Sequence, residues 1–349
     1  MTDLLAATAD ALLGELCSHQ VVQDAERTGW APAAWNAVAE MGLPWIGVPE
    51  SGGGQGGSLL DALAVLRIAG RHALPLPLAE TGPIGGWLLA SAGLQIPAGP
   101  VTVVPASSKD DLRYDGRTLS GTAHRVPWAR AAERVVVLLP AGEGSVVASI
   151  DRAELRVDAV TNMAGEPRDT VHFANVPVDV VGRTEVDPKA LRLRGALTRV
   201  ALIAGALERV RDITVQYTSE REQFGRPLNR FQAVQEHLVR VAQQAALVGT
   251  AADVAAREAD RGGGSMETAF AKTLAAEGVS ISTRAAHQAH GAMGMTQEYV
   301  LHQVTRRLWA WRREYGDGAF WSSYVGHIVA ARGADGLYPL VTAGGAAPS

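Results

Sequence analysis

YTSEREQFGRPLNRFQAVQ, residues 217–235, separates two long runs of helical spacing with an aromatic residue, a glycine and a proline. Upstream, Val200, Ile203, Leu207, Val210 and Tyr217 form one apolar stripe; downstream, Phe231, Val234, Leu238, Val241, Ala245, Val248 and Ala252 form another, with steps of three and four. The pattern predicts two long helices joined by a short break at Gly225 and Pro227. Asn229 is placed to cap the second helix, and Arg221 lies in the last turn of the first, where a cation complements the helix dipole. An arginine so placed is by itself an ordinary solvated charge.

Reading outward, RGGGS (261–265) is a loop before a third helix of about 266–290, and YVLHQVTRRLWAWRRE (299–314) reads as a fourth. These make a C-terminal four-helix bundle over 188–338. Residues 99–187 have another texture: VTVV, RVVVLL, SVVASI, ELRVDAV and DTVHFANVPV are short β-type runs separated by turn residues such as Asp115-Gly116 and Gly142-Glu143-Gly144. The last run alternates, with Val171, Phe173 and Val176 or Val178 on its buried side, so the middle region reads as a small β-barrel or sandwich. Residues 1–98 return to helical spacing, interrupted by GLPWIGVPESGGGQGG (42–57), which reads as a flexible surface turn because neither GK[ST] nor a strand–turn–helix frame accompanies its glycines. The fold class expected is therefore mainly α with a β insert: an N-terminal helical domain, a middle β domain and a C-terminal bundle, with 339–349 a tail whose TAGGAAPS end (342–349) reads as disordered.

Composition narrows the function. A chain of 349 residues, 47% hydrophobic and 19% charged, buries at least one substantial core. A formal net charge of −4 provides no basic field for a phosphate backbone, so no nucleic acid partner is expected. Cys17 is the single cysteine, and the residues after Met1 lack a basic region followed by a long apolar core; both point to a reducing, cytoplasmic setting. No apolar run approaches the roughly 20 residues of a membrane span. His287, His290 and His302 lack a metal-ligand arrangement, and no metal is expected. Trp309, Trp311 and Trp321 read as core or subunit-interface aromatics.

The order of regions, together with three passages, resembles the acyl-CoA dehydrogenase family along nearly the whole chain. The first passage comprises Trp35, Ala39, Glu40, Met41, Gly42, Leu43, Val48, Pro49, Glu50, Gly52, Gly53 and Gly56; the second is 217–235; the third is HQAHGAMGMTQEY (287–299), followed by Arg306-Arg307. The resemblance implies FAD as cofactor. It makes Arg221, Gln223 and Phe224 the grip on the FAD pyrophosphate of a neighbouring subunit, with Phe231 and Gln232 along the same wall. Gln288, Gly291, Ala292 and Gly294 would then lie along the dinucleotide. The reaction implied is α,β-dehydrogenation of an acyl-CoA thioester, with an electron-transfer flavoprotein-type protein as acceptor.

The sequence departs from the family pattern at the catalytic base. In many members this is the glutamate of an E-G-T sequence; ungapped counting from His290-Gly291 puts Tyr315 there, followed by Gly316. If the loop is two residues longer, Asp317 takes the role, with Glu314 as a second candidate. Other members place the base early in the helix before the R-x-x-F-G motif, but RLRGALTR has no carboxylate and the count lands on Gly195. The flavin-facing T-E-P-x-x-G-S loop is also replaced, by VVPASSKD (103–110). Short family members of actinobacterial steroid side-chain breakdown look similar, and they share FAD sites within α2β2 assemblies. The resemblance thus implies a homo-oligomer or an α2β2 assembly, and a bulky CoA-thioester substrate. Three readings stay open: a dehydrogenase using Asp317 or completing a partner's FAD site, a flavin monooxygenase on the same scaffold, and a non-catalytic binding protein.

Overall fold

The computed structural model describes residues 2–107, 109–142 and 144–343. Two compact units result: one holds residues up to Leu66 and from Leu74 to Gly195, the other Arg67–Ala73 and the chain from Ala196 onward. Among the described residues no helix is long and apolar enough to cross a membrane.

The first unit opens with α1 (Thr2–Leu16), α2 (His19–Thr28) and α3 (Pro32–Glu40), followed by α4 (Leu59–Arg71), whose last turn belongs to the second unit. The Ser18 hydroxyl accepts from the Val21 amide to start α2, and Gly29 at φ 79° ends it. The 42–57 segment is compact, where the sequence predicts a flexible turn. Gly47 N–H donates to Gly56 C=O at 2.8 Å, Gly56 N–H donates back to Val48 C=O at 2.8 Å, and Val48 is fully buried. A Cβ on Gly54 would lie 2.2 Å from the Val48 carbonyl oxygen, so these glycines serve close backbone packing. Residues Glu80–Gly86, all buried, wind as a wide π turn leading into α5 (Trp87–Ser91).

Two sheets follow. One has the order β1 (Val101–Val103), β4 (Arg134–Ala141), β5 (Gly144–Asp151), β8 (Val180–Thr184), with β1 and β4 parallel and the rest antiparallel; the other, β2 (Asp111–Tyr114), β3 (Thr118–Pro127), β7 (Arg168–Pro177), β6 (Arg156–Asp158), is antiparallel throughout. They share one apolar core through Leu119, Val126, Val137, Ala148, Val171 and Phe173. Val171, Phe173 and Val176 on β7 and Val178 just beyond it are all buried. Asn175, at φ 55°, shifts the alternation by one residue between Phe173 and Val176. The expected turn at 142–144 includes Glu143, which lies outside the described residues, as does Ser108 of the 103–110 stretch.

The second unit consists of α6 (Pro188–Glu220), whose first residues belong to the first unit, a two-residue hairpin β9 (Glu222–Gln223) and β10 (Arg226–Pro227), α7 (Gln232–Asp260), α8 (Ser265–His290), α9 (Leu301–Trp311) and α10 (Gly318–Ala343). The predicted stripes are buried over most of their length: Val200, Ile203, Leu207 and Val210 fully on α6, and Val241, Ala245, Val248 and Ala252 on α7, whereas Tyr217, Phe231, Val234 and Leu238, nearer the break, are only half-buried. α4 and α6 meet backbone to backbone. A Cβ on Gly70 would lie 2.0 Å from the Leu202 carbonyl oxygen, and one on Gly205 would lie 1.7 Å from that of Arg67. Arg67 then pairs with Glu208 and Asp253 across the crossing.

Two expectations are corrected. The fourth helix closes at Trp311, and a further helix, α10, occupies 318–343, broken at Gly333 by extended, positive-φ backbone. Its glycines and Pro339 hide its period in the sequence. Within the stretch expected to be a tail, 339–343 belongs to α10 and 344–349 lies outside the described residues.

Candidate functional site

The 217–235 stretch forms a projecting hairpin. α6 ends at Glu220, so Arg221 sits one residue beyond the last turn; its N–H donates to Tyr217 C=O at 2.9 Å and its C=O accepts from Leu228 N–H at 2.9 Å. The first bond continues the helical pattern by one residue and the second closes the base of the hairpin. Phe224 and Gly225 form its tip at φ 51° and 76°, the two positive dihedrals of a type I′ turn. Glycine takes this conformation freely; a phenylalanine there is strained by about 1 kcal/mol. Phe224 is nonetheless 92% exposed, with its ring edge-on to Phe231 at 6.2 Å, and the Arg226 guanidinium lies over the Phe231 ring at 4.0 Å. Asn229 lies in a 3-10 turn whose carbonyl accepts from the Gln235 side chain, and the residue preceding α7 is Phe231, so Asn229 is not the cap. The backbone of Leu228–Arg230 had to turn once more before α7 could start.

Arg221, Gln223 and Gln232 are exposed, and the Arg221 guanidinium makes no side-chain bond among the described residues. The 287–299 stretch ends α8 and turns through a 3-10 segment, Gly291–Met295. Gln288, Gly291 and Ala292 face outward, and Gly291, at φ 59° and ψ −139°, has nothing within 4 Å of where a Cβ would be. Gly294 faces inward, where a Cβ would be 2.9 Å from His290 Cβ. Beneath this turn Tyr217 stacks on His290 at 4.5 Å, with Tyr299 completing an aromatic cluster. The His290 Nδ1–H donates to Ala286 C=O, and burial pulls the pKa of both His287 and His290 below the ordinary value. A free guanidinium, open glycine backbone and outward amide side chains are donors suited to a dinucleotide diphosphate, so these residues fit FAD.

Both candidate carboxylates have structural partners. Glu314 Oε2 accepts from Nε of the buried Arg199 at 2.6 Å. Asp317 is exposed and starts α10: its Oδ1 accepts from Phe320 N–H at 2.9 Å, and its C=O accepts from Trp321 N–H. Tyr315, where ungapped counting from His290-Gly291 puts the glutamate, is buried at φ 54° with the Arg199 guanidinium over its ring at 5.3 Å. Trp311 and Trp321 are buried, and Trp309 donates to Thr283 Oγ1 at 3.1 Å.

Sequence reasoning missed Lys272. It is fully buried on α8 and donates to the carbonyls of Trp311 at 3.1 Å and Arg312 at 2.9 Å. The available signal was its position: with Ala269, Ala276 and Val279 it shares an otherwise apolar stripe at steps of three and four. Burial, above all, pulls its pKa down to about 7.

The profile described as "Acyl-CoA dehydrogenase, C-terminal domain" matches residues 193–316, a span that takes in the hairpin, the glycine turn and the Arg199–Glu314 pair. Residues 193–316 are an acyl-CoA dehydrogenase C-terminal domain. The chain is 27% identical to acyl-CoA dehydrogenase IpdE2 of Mycolicibacterium smegmatis over 315 residues, covering 87% of this chain and 91% of that protein. Its fold matches that of a chain of the ChsE4–ChsE5 complex from Mycobacterium tuberculosis with a TM-score of 0.87 at 21% identity, over 94% of this chain and 97% of the other. The Tcur3481–Tcur3483 steroid ACAD gives 0.86 at 22% identity, over 95% and 98%. These enzymes are oxidoreductases that act on acyl-CoA, and the helical, β, helical order of the present chain is that of the family fold.

Proposed function

We propose that this chain takes part in FAD-dependent α,β-dehydrogenation of a bulky acyl-CoA thioester, as one subunit of an assembly that shares its flavin sites. The observation that carries the reading is the hairpin: a strained, exposed Phe224 and an unengaged Arg221 are held outward on a rigid turn, as needed to reach a group bound by a neighbouring subunit. FAD, when bound, accepts the β-hydride. Arg221, Gln223 and Phe224 hold its diphosphate end, Phe231 and Gln232 extend that wall, and Gln288 to Ala292 line the other side, with Gly294 packing the turn beneath. Likeness to a steroid ACAD and to a two-component complex supports a steroid-type acyl-CoA substrate and an assembly with a related subunit over a homo-oligomer. Electrons leave to an electron-transfer flavoprotein-type acceptor in the cytoplasm.

Asp317 is the base if this chain turns over unaided. A second reading is favoured by the partners of the two carboxylates: Glu314 is fixed by Arg199 and Asp317 caps α10, so neither is poised to take a proton, and the chain completes a related subunit's FAD site. The test is anaerobic flavin bleaching by a panel of acyl-CoAs, run on the chain alone and co-purified with a related subunit, for wild type and Asp317→Asn. Bleaching alone, abolished by the substitution, supports Asp317; bleaching only with the partner and unchanged by Asp317→Asn supports the shared site. Flavin retention unaffected by Arg221→Ala in either preparation refutes the hairpin's role.

A further inference from the structure

Lys272 is a fully buried ammonium that forms no ion pair among the described residues; its hydrogen bonds go to two carbonyls at the C-terminal end of α9. Both lie at the negative end of the helix dipole, where a cation is favoured; Trp311 C=O also accepts from Glu314 N–H, and Arg312 C=O relies on the lysine. The lysine is on α8 and its acceptors open the 312–317 loop, so the contact fastens the loop to the bundle. Arg312 adds a second tie, through its Nη1 to Ser280 Oγ of α8 at 2.5 Å. The charged groups acting on Lys272 are Glu314, Arg199, Asp317 and Arg312: two carboxylates that favour the ammonium and two guanidiniums that oppose it, with Glu314 already paired to Arg199.

We propose that Lys272 is a positioning residue for the 312–317 loop and makes its opening proton-dependent: lifting the loop off α8 hydrates the ammonium, so acid favours the open loop and base the closed one. The reason is linkage. A closed loop keeps the lysine away from water and opposes its charge, an open loop does not, and the state that binds the proton more tightly gains as pH falls. The lowered pKa of Lys272 agrees in sign with this geometry. The inference goes beyond the dehydrogenase reading, since it concerns the order of the loop in the unliganded chain and survives whether or not the loop carries a base.

Amide hydrogen exchange of the unliganded chain tests it, with each amide corrected for its intrinsic rate. The reporters are the amides of Arg312, Arg313 and Glu314, which donate to α9 carbonyls, and of Phe320 and Trp321, which donate to Asp317. In wild type, protection of this segment should rise from about pH 7 to about pH 9 by up to tenfold per pH unit, the limit for one proton. Lys272→Arg, charged throughout, and Lys272→Met, never charged, should both lose the rise. The pKa values of His287 and His290 lie below the ordinary histidine value, under this window. A flat wild-type profile overturns the proposal even if neither variant folds, and so does a rise that persists in Lys272→Met.

Discussion

Replacing Lys272 with methionine should change how the stability of the fold depends on pH, by an amount that follows from its burial. An unfolded lysine holds its proton to about pH 10.5, whereas the buried one releases it near pH 7. Between these values the unfolded chain binds more protons, so stability rises with pH there; below about 7 the full penalty of the buried charge is present, and above about 10.5 it is gone. The displacement corresponds to about 5 kcal/mol. Between pH 6.5 and 9.5 the linkage relation gives wild type a gain of about 3 kcal/mol from this one group. Lys272→Met forgoes that gain, leaves the Arg312 carbonyl without its donor at about 1–3 kcal/mol, and removes one of the two hydrogen bonds to the Trp311 carbonyl, which keeps the Glu314 N–H, at about 1 kcal/mol. The variant should therefore be nearly as stable as wild type in mild acid and clearly less stable in base. Urea unfolding of both proteins at the two pH values, compared through midpoints at equal slopes, measures the difference of differences, in which titrations common to both cancel. Parallel pH profiles, or a gap that narrows as pH rises, would refute the argument that burial sets the lysine's proton affinity.

Two further substitutions probe what holds the second unit together. Gly205→Ala places a methyl group 1.7 Å from the Arg67 carbonyl oxygen, so α4 and α6 must separate; a loss of about 3 kcal/mol is expected in urea unfolding, and a neutral outcome would mean that the crossing is looser than described. Arg199→Met leaves Glu314, 11% exposed, without its guanidinium, and should cost about 3–5 kcal/mol at neutral pH. Most of that cost should be recovered in the double variant with Glu314→Gln; a single-variant loss below about 1 kcal/mol would show that the pair is solvated.

Much of the fold was legible because burial on a helix repeats along the chain. The stripes from Val200 to Val210 and from Val241 to Ala252 are buried as their spacing demands, and the five β-type runs correspond to β1, β4, β5, β6 and β7. β2, β3 and β8 escaped notice because their sequences, such as TLSGTAHRVP, mix small and polar residues along the strand; sheet pairing supplies what propensity does not. α10 escaped for a related reason: it carries Gly326, Gly333 and Gly336, and packing against α8 at points such as Gly318 over Ala276 compensates for its poor intrinsic propensity. The glycine-rich 42–57 segment has the composition of a flexible turn, yet its glycines are there because the Val48 and Ser58 backbones leave no room for a side chain.

The candidate site was legible only where its residues are unusual for their surroundings. Phe224, Gly225 and Pro227 marked a break between two helices, but that the break is a hairpin with Phe224 and Gly225 both at positive φ was not foreseen. The base position was not legible, because a carboxylate's role depends on what stands opposite it, and the opposing groups come from distant positions: Arg199 is 115 residues from Glu314, and Lys272 is 39 and 40 residues from the carbonyls it holds. The same loop therefore contains a glutamate tied to an arginine, a tyrosine in left-handed backbone beneath that arginine, and an aspartate that starts the next helix. Three consecutive needs, an ion pair, a buried ring and a cap, are met within four residues, which leaves little freedom for any of them to approach a substrate unless the loop first lifts from α8. Lys272 is the group whose contacts that movement must break, and this joins proton affinity at one buried nitrogen to the accessibility of the loop that carries both candidate carboxylates.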